Sequence, residues 1–177
     1  MPVKLSTRAR KLKPSATFRL ARRAAELREQ GEDVISFGLG EPDFDTPEAI
    51  RKAAHDAIEN GQTHYTANEG IAPLRQAIRD AFEKDQGVAY DAKSEVLVTA
   101  GAKQAIANAL LALVEEGDEV LVPAPYWLTY PEIVGFTGAA FRPVRTDAAD
   151  GFDLRVEELE RVVSDRSRML LLNSPNN

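Results

Sequence analysis

Residues 95–122 read EVLVTAGAKQAIANALLALVEEGDEVLV. Glu95-Val96-Leu97-Val98 and Glu119-Val120-Leu121-Val122 are apolar runs of strand length. Between them Ala102, Ala105, Ile106, Ala109, Leu110 and Leu113 recur at helical spacing. Strand, helix and strand, with continuous rather than alternating apolar strands, is the pattern of a parallel sheet covered by helices. The alternation continues toward the C-terminus. A helix is expected from Tyr126 to Phe136 and a strand from Ala140 to Val144. Val156, Leu159, Val162 and Val163 mark another helix, and Met169 to Leu172 another strand. The fold class is therefore α/β with a mostly parallel sheet.

Upstream, Thr17, Leu20, Ala21, Ala24 and Leu27 follow helical spacing, with Pro14-Ser15 as a start signal and Gly31 as the stop. The stretch from Gly38 to Pro47 is rich in Gly and Pro and reads as a passage between structural units. Thr46 is placed to cap the next helix and Pro47 to fill its first turn. Ile50, Ala53, Ala54, Ala57 and Ile58 form the expected buried stripe of that helix, and Asn60-Gly61 ends it. Ile71, Leu74, Ile78, Ala81 and Phe82 mark a further helix. The first 25 residues carry no acid and several Arg and Lys, which fits a basic N-terminal arm or an organellar transit peptide.

Composition narrows the function classes. The 177 residues are 44% hydrophobic and 28% charged, with a net charge of -6 that argues against a general affinity for nucleic acid or anionic membrane. The absence of cysteine excludes disulfides and thiolate chemistry. Two histidines, with no His-x-x-x-His pair, offer no zinc site, and no apolar run approaches transmembrane length.

Three segments carry chemistry, and all follow expected strands, where open α/β sheets bind ligands. Thr99-Ala100-Gly101-Ala102-Lys103-Gln104 stands at a strand-to-helix junction, whose backbone N–H groups suit an anion. A plain turn with a solvated lysine reads the same way. It is neither a dinucleotide fingerprint nor a Walker loop, since the glycine spacing of both is absent. Pro123-Ala124-Pro125-Tyr126-Trp127 holds the single tryptophan, which can stack on a planar ligand or serve as a core wedge. Asn173-Ser174-Pro175-Asn176-Asn177 offers amide donors and acceptors, or simple turn chemistry. Together, an anion cradle, an aromatic platform and an amide pair suit a flat phosphorylated cofactor. Since the last strand runs straight into this polar turn, the chain is expected to end at the mouth of the site, with part of the site beyond it.

Several segments in order then resemble the aspartate aminotransferase family, the class I branch of fold-type I pyridoxal-phosphate enzymes. They are Lys13-Pro14-Ser15-Ala16-Thr17, Gly40-Glu41-Pro42-Asp43-Phe44-Asp45-Thr46-Pro47, Tyr65-Thr66, Gly101-Ala102-Lys103-Gln104, Gly117-Asp118-Glu119-Val120, Pro125-Tyr126-Trp127 and the terminal Asn173 to Asn177. The resemblance runs over nearly the whole chain and is nearest to the aspartate/prephenate subgroup. It departs at Ala72-Pro73, where the family often has Pro-Glu.

The resemblance implies a three-layer α/β/α fold. Residues 1–46 would form an N-terminal arm and small-domain segment, and residues 47–177 the first part of an incomplete large domain. It implies that Gly101, Ala102 and Lys103 hold the phosphate of pyridoxal 5'-phosphate and that Trp127 stacks on the pyridine ring. Asn177 would bond the ring's phenolic oxygen and border the substrate, and Gly40 would supply a backbone contact. Tyr65 would reach the phosphate of a neighbouring subunit, making a cytoplasmic homodimer with shared sites. Thr17 and Lys103 resemble the pair that handles the distal carboxylate of dicarboxylic substrates. The family continues with Pro-Thr-Gly after the position of Asn177, and its Schiff-base lysine lies further on, so no catalytic residue is expected here. The implied reaction is transamination between L-aspartate and 2-oxoglutarate. The alternatives are a non-catalytic assembly module, or an aminotransferase for aromatic, prephenate or neutral substrates.

Overall fold

Val120, Leu121 and Val122 are almost fully out of water and form the middle of the sheet. The computed structural model describes residues 3–12, 16–38 and 40–176, apart from the side chains of residues 11 and 16. Its elements in chain order are α1 (Thr7–Lys11), α2 (Ala16–Glu29), α3 (Glu48–Glu59), α4 (Ala72–Gln86), α5 (Ala102–Leu113), β1 (Glu119–Pro123), α6 (Thr129–Thr137), β2 (Ala140–Val144), a 3-10 turn (Ala148–Asp150), α7 (Val156–Glu160) and β3 (Ser167–Leu170). They divide into two compact units. One is residues 40–105; the other joins residues 1–39 to 106–177.

The second of these units is built on a three-stranded parallel sheet in the order β2-β1-β3. The central strand is covered on both faces, which is why its sequence is an unbroken apolar run. Leu110, Val114, Tyr130, Val134 and Ala139 pack with Val120 and Val122 in one buried cluster. Helices α5 and α6 thus contribute the apolar stripes that close over the sheet. At the opposite end of β1, Glu119 is also buried, only 1% exposed. Its Oε1 accepts from Arg142 of β2 at 2.7 Å and faces Arg166, just before β3, at 2.7 Å. Its Oε2 accepts from Ser164 Oγ at 2.9 Å. One carboxylate therefore ties all three strands together where they begin. The Arg142 hydrogen bond, then that of Ser164, hold its pKa below the ordinary carboxylate range.

The α/β class and the parallel sheet hold, and β2 has the expected bounds. Several local expectations do not. Glu95 to Val98 forms no strand: among the described residues its backbone finds no ladder, and its amides bond instead to Asp91 O from Glu95 at 2.9 Å and to Glu69 O from Val98 at 3.0 Å. A strand exists through its pairing, and β-propensity alone does not supply a partner. Helix α3 buries none of its residues, and Ile50 and Ile58 of the expected buried stripe stay exposed. Thr46 does not cap it. Pro47 is the N-cap, with no side-chain bond, and its carbonyl starts the helix by accepting from Ile50 and Arg51. Helix α6 begins at Thr129, because the Ala124 amide bonds Val144 O and keeps the Pro-rich 124–128 stretch on the sheet. Strand β3 lies two residues earlier than expected. The Glu119 amide pairs with Arg166 O, starting the ladder early, and Pro123 at the end of β1 has no N–H to extend it. The expected start signal at Pro14-Ser15 lies outside the described residues.

Glu119→Gln tests the strand clamp. A carboxylate whose acidity is strengthened by folding adds stability above its unfolded pKa and loses it as pH falls through the folded one. The variant should therefore melt below the parent at neutral pH. The gap should close once acid has protonated the parent's own Glu119. Thermal midpoints that stay equal at pH 7 would show that the clamp contributes nothing.

Candidate functional site

The carboxyl ends of the three parallel strands open onto one cleft of about 450 Å³. Pro123 and Tyr126 after β1, Thr146 after β2 and the 171–176 segment after β3 line it, with Tyr130 at its base and Phe152 at its rim. Its walls are held by side chains that bond backbone carbonyls across the strand ends. Thr146 Oγ1 donates to Ala124 O, and Asn176 Nδ2 donates to Pro125 O at 2.5 Å. The two bonds pin the Ala124-Pro125 step to the strand on either side of β1.

Phe152 reaches the rim through an unusual backbone. Its φ is 63°, in the left-handed region that large side chains rarely adopt. The loop enforces this locally: the Phe152 amide bonds Asp147 O at 2.9 Å, and Asp147 Oδ1 accepts from the Ala149 amide at 3.0 Å. That amide bond, ahead of the nearby arginines, keeps the Asp147 carboxyl below its ordinary range.

Trp127 is half-buried and is not part of the cleft's lining. Its ring meets Tyr130 edge-on at 5.5 Å and 89°, and it packs against the apolar cluster. The core-wedge reading of this tryptophan is thus realised on one side of the ring. Asn176 joins the cleft, while Asn177 lies outside the described residues. Thr17 is half-buried on α2.

The other unit carries the junction at α5. Gly101 has φ +83°, and a side chain there would meet nothing within 4 Å, so the turn stands open. Thr99 closes it from inside: its carbonyl accepts from the Gly101 amide at 2.8 Å and its Oγ1 donates to Gly101 O at 3.0 Å. Gln104 Oε1 reaches back to accept from the Ala100 amide at 2.5 Å, which satisfies one donor before the helix starts. The amides of Ala102 and Lys103 lie in the first turn, where a helix has no carbonyl of its own to offer them. No acidic residue stands in that turn. A helix start with positive dipole character, no acid and an exposed lysine is suited to an anion. Tyr65 in this unit is fully exposed, and Gly40 is exposed with open space about it.

Sequence reasoning had no hold on Tyr130, Thr146 and Phe152 as cleft residues, whereas Tyr126 lies in a segment that it had singled out. One signal was available: Asp150-Gly151 marks the turn that carries Phe152 to the rim. Gln104 was a second, since a Gln in the first turn of a helix can reach back to a free amide ahead of it. Among the described residues no cluster of three or more His, Cys, Asp or Glu could hold a metal ion.

Comparison with known proteins places these features in a family. The model of the family "Aminotransferase class I and II" matches residues 32–177. The probable aspartate/prephenate aminotransferase of Aquifex aeolicus is 44% identical over 173 residues, covering 98% of this chain and 44% of that protein. The aspartate/prephenate aminotransferase of Thermus thermophilus is 42% identical, with 98% and 45% covered. Among solved structures, the aspartate aminotransferase of Rhizobium meliloti aligns with a TM-score of 0.94 at 41% identity, over 99% of this chain and 44% of that one. That of Thermus thermophilus with maleate aligns at 0.92 and 41%, over 99% and 46%. The chain thus spans less than half the length of the relatives it matches.

Gln104→Ala tests the turn before α5. Losing the acceptor for the Ala100 amide should cost about 0.5–1.5 kcal/mol in urea unfolding and speed hydrogen exchange at that amide. Unaltered exchange at Ala100 would mean that the glutamine does not hold the turn.

Proposed function

This chain belongs to the class I and II aminotransferase family, and on that premise we propose that it is the N-terminal part of a pyridoxal-phosphate-dependent aminotransferase. The enzyme exchanges the amino group of L-aspartate, or a similar dicarboxylic amino acid, with 2-oxoglutarate. The observation that carries the reading is the start of α5, an acid-free helix terminus behind an open glycine turn. Its donor set fits a phosphate: first-turn amides of Ala102 and Lys103, the permissive backbone of Gly101 and the Lys103 ammonium. The names of the relatives support the substrate class.

Pyridoxal phosphate, when bound, supplies an electron sink for the charge left when the substrate's Cα proton departs. This chain's residues bind and orient. Gly101, Ala102 and Lys103 hold the phosphate. Trp127, already locked edge-on against Tyr130, offers a rigid flat face to the pyridine ring. Asn177 would bond the ring oxygen and border the substrate carboxylate, and Gly40 would contribute a backbone contact. Thr17 and Lys103 receive the distal carboxylate. No residue of this chain moves the reacting proton; that role falls to the lysine that holds the cofactor covalently, in the remainder of the protein.

The reading includes a homodimer in which Tyr65 reaches the neighbouring subunit's phosphate. The full exposure of Tyr65, and the apolar stripe that α3 leaves uncovered, support it. On this reading residues 1–46 form the arm and small-domain segment, and the large domain starts at Pro47. The reading also includes a cytoplasmic location. Prephenate is a second acceptor to test, since the Aquifex and Thermus relatives are named for it as well as for aspartate.

In the full-length protein, Trp127→Ala should weaken pyridoxal phosphate binding about 2–10-fold, the equivalent of ~0.5–1.5 kcal/mol of ring stacking. Equal affinities in a cofactor titration would remove Trp127 from the site. Substrate profiling should give aspartate a far higher kcat/KM than alanine, and Thr17→Val should narrow that preference. Turnover of alanine with aspartate inert would rule out the roles of Thr17 and Lys103.

A further inference from the structure

Among the described residues of the 40–105 unit, the one buried residue is an arginine. Arg75 is 9% exposed and sits in the first turn of α4, where its charge opposes the helix dipole. Local helix chemistry therefore does not account for it. Its guanidinium does: Nη1 donates to Lys93 O at 3.1 Å, and Nη2 stands 3.8 Å from the Glu69 carboxylate. The planar fork spans two separate stretches of chain, which a lysine ammonium on a flexible stem cannot do.

Each stretch leads to the segment that precedes α5. The Lys93 end is stitched internally. Asp91 accepts from the Lys93 amide at 2.9 Å and from Ser94 Oγ at 2.7 Å, and the Asp91 amide donates to Glu95 Oε2 at 2.7 Å. At the Glu69 end, Glu69 O accepts from the Val98 amide at 3.0 Å. The next residue, Gly70, has φ +102°, and a Cβ there would come within 2.5 Å of Val98 Cγ2. Backbone thus presses directly on Val98, at a spot where only glycine fits. Residues 93–98 have no strand ladder among the described residues, so these contacts at their two ends are what locate them. Thr99, Ala100 and the open turn at Gly101 follow immediately.

We infer that Arg75 and Gly70 are positioning residues for the phosphate cradle, setting through Lys93 and Val98 where the first-turn amides of α5 lie. This rests on the pyridoxal phosphate reading given above. Neither residue touches the cofactor. Their effect is on the part of the site that meets the phosphate, and not on the part that meets the ring.

The test compares pyridoxal phosphate with pyridoxal, which lacks the phosphate, in the full-length apoprotein. Arg75→Lys keeps the charge and loses the fork; Gly70→Ala keeps the fork and displaces Val98. Each should weaken pyridoxal phosphate by about tenfold, a ~1.4 kcal/mol loss, while leaving pyridoxal affinity unchanged. Hydrogen exchange of residues 98–103 should quicken in both ligand-free variants. Parallel weakening of both ligands would reduce the clamp to general stability and overturn the inference. So would unchanged affinities in a parent that prefers pyridoxal phosphate. A parent that binds the two alike would instead overturn the cofactor reading itself, and the positioning role with it.

Discussion

The buried carboxylate of Glu119 is the constraint on which the sheet-bearing unit depends. Three donors from two neighbouring strand segments converge on it, so the strands start in one fixed register. Parallel strands that begin together also end together, and their ends form the cleft. Displacing one strand by a residue would move Pro123, Thr146 and the 171–176 turn relative to one another, and the side-chain bonds across them would fail. A buried ion cluster seldom adds stability over an apolar replacement, but it penalises every register that leaves the charge unpaired. Here that specificity is relayed along five residues of β1 to the place where chemistry is expected.

The two units are held by different physics. The sheet-bearing unit has an apolar cluster drawn from α5, α6 and β1, with non-directional burial as its main stabilising force. The 40–105 unit has a directional centre: an arginine fork, a stitched 91–95 turn and a glycine contact at Val98. A hydrogen-bonded centre of that kind fixes backbone position more sharply than apolar contact does. That is the requirement of an anion site built from amide groups, whose donors act only at the right distance and angle.

Much of this was legible along the chain. Continuous apolar runs separated by a helical stripe announced a parallel sheet, and the segments picked out after the expected strands at 119–122 and 169–172 include residues that line the cleft, among them Tyr126 and Asn176. Other features were not legible because they depend on partners. Glu95 to Val98 has strand composition and no ladder. The stripe on α3 has helical periodicity and no cover among its own residues. Arg75 looks like an ordinary surface arginine until Lys93 O, 18 residues away, is seen to receive it.

Periodicity and turn chemistry, which act over a few residues, were enough to settle the fold class, the helix ends at Gly31 and Asn60-Gly61, and the bounds of β2. What closes at a distance was decided in three dimensions. That includes the pairing of Glu119 with Arg142 and Arg166, the seat of Trp127 against Tyr130, and the grip of Arg75 and Gly70 on the segment before α5. The reason is physical. A side chain's local preferences are written in its own neighbourhood, whereas burial and charge pairing belong to whichever residues the fold brings against it.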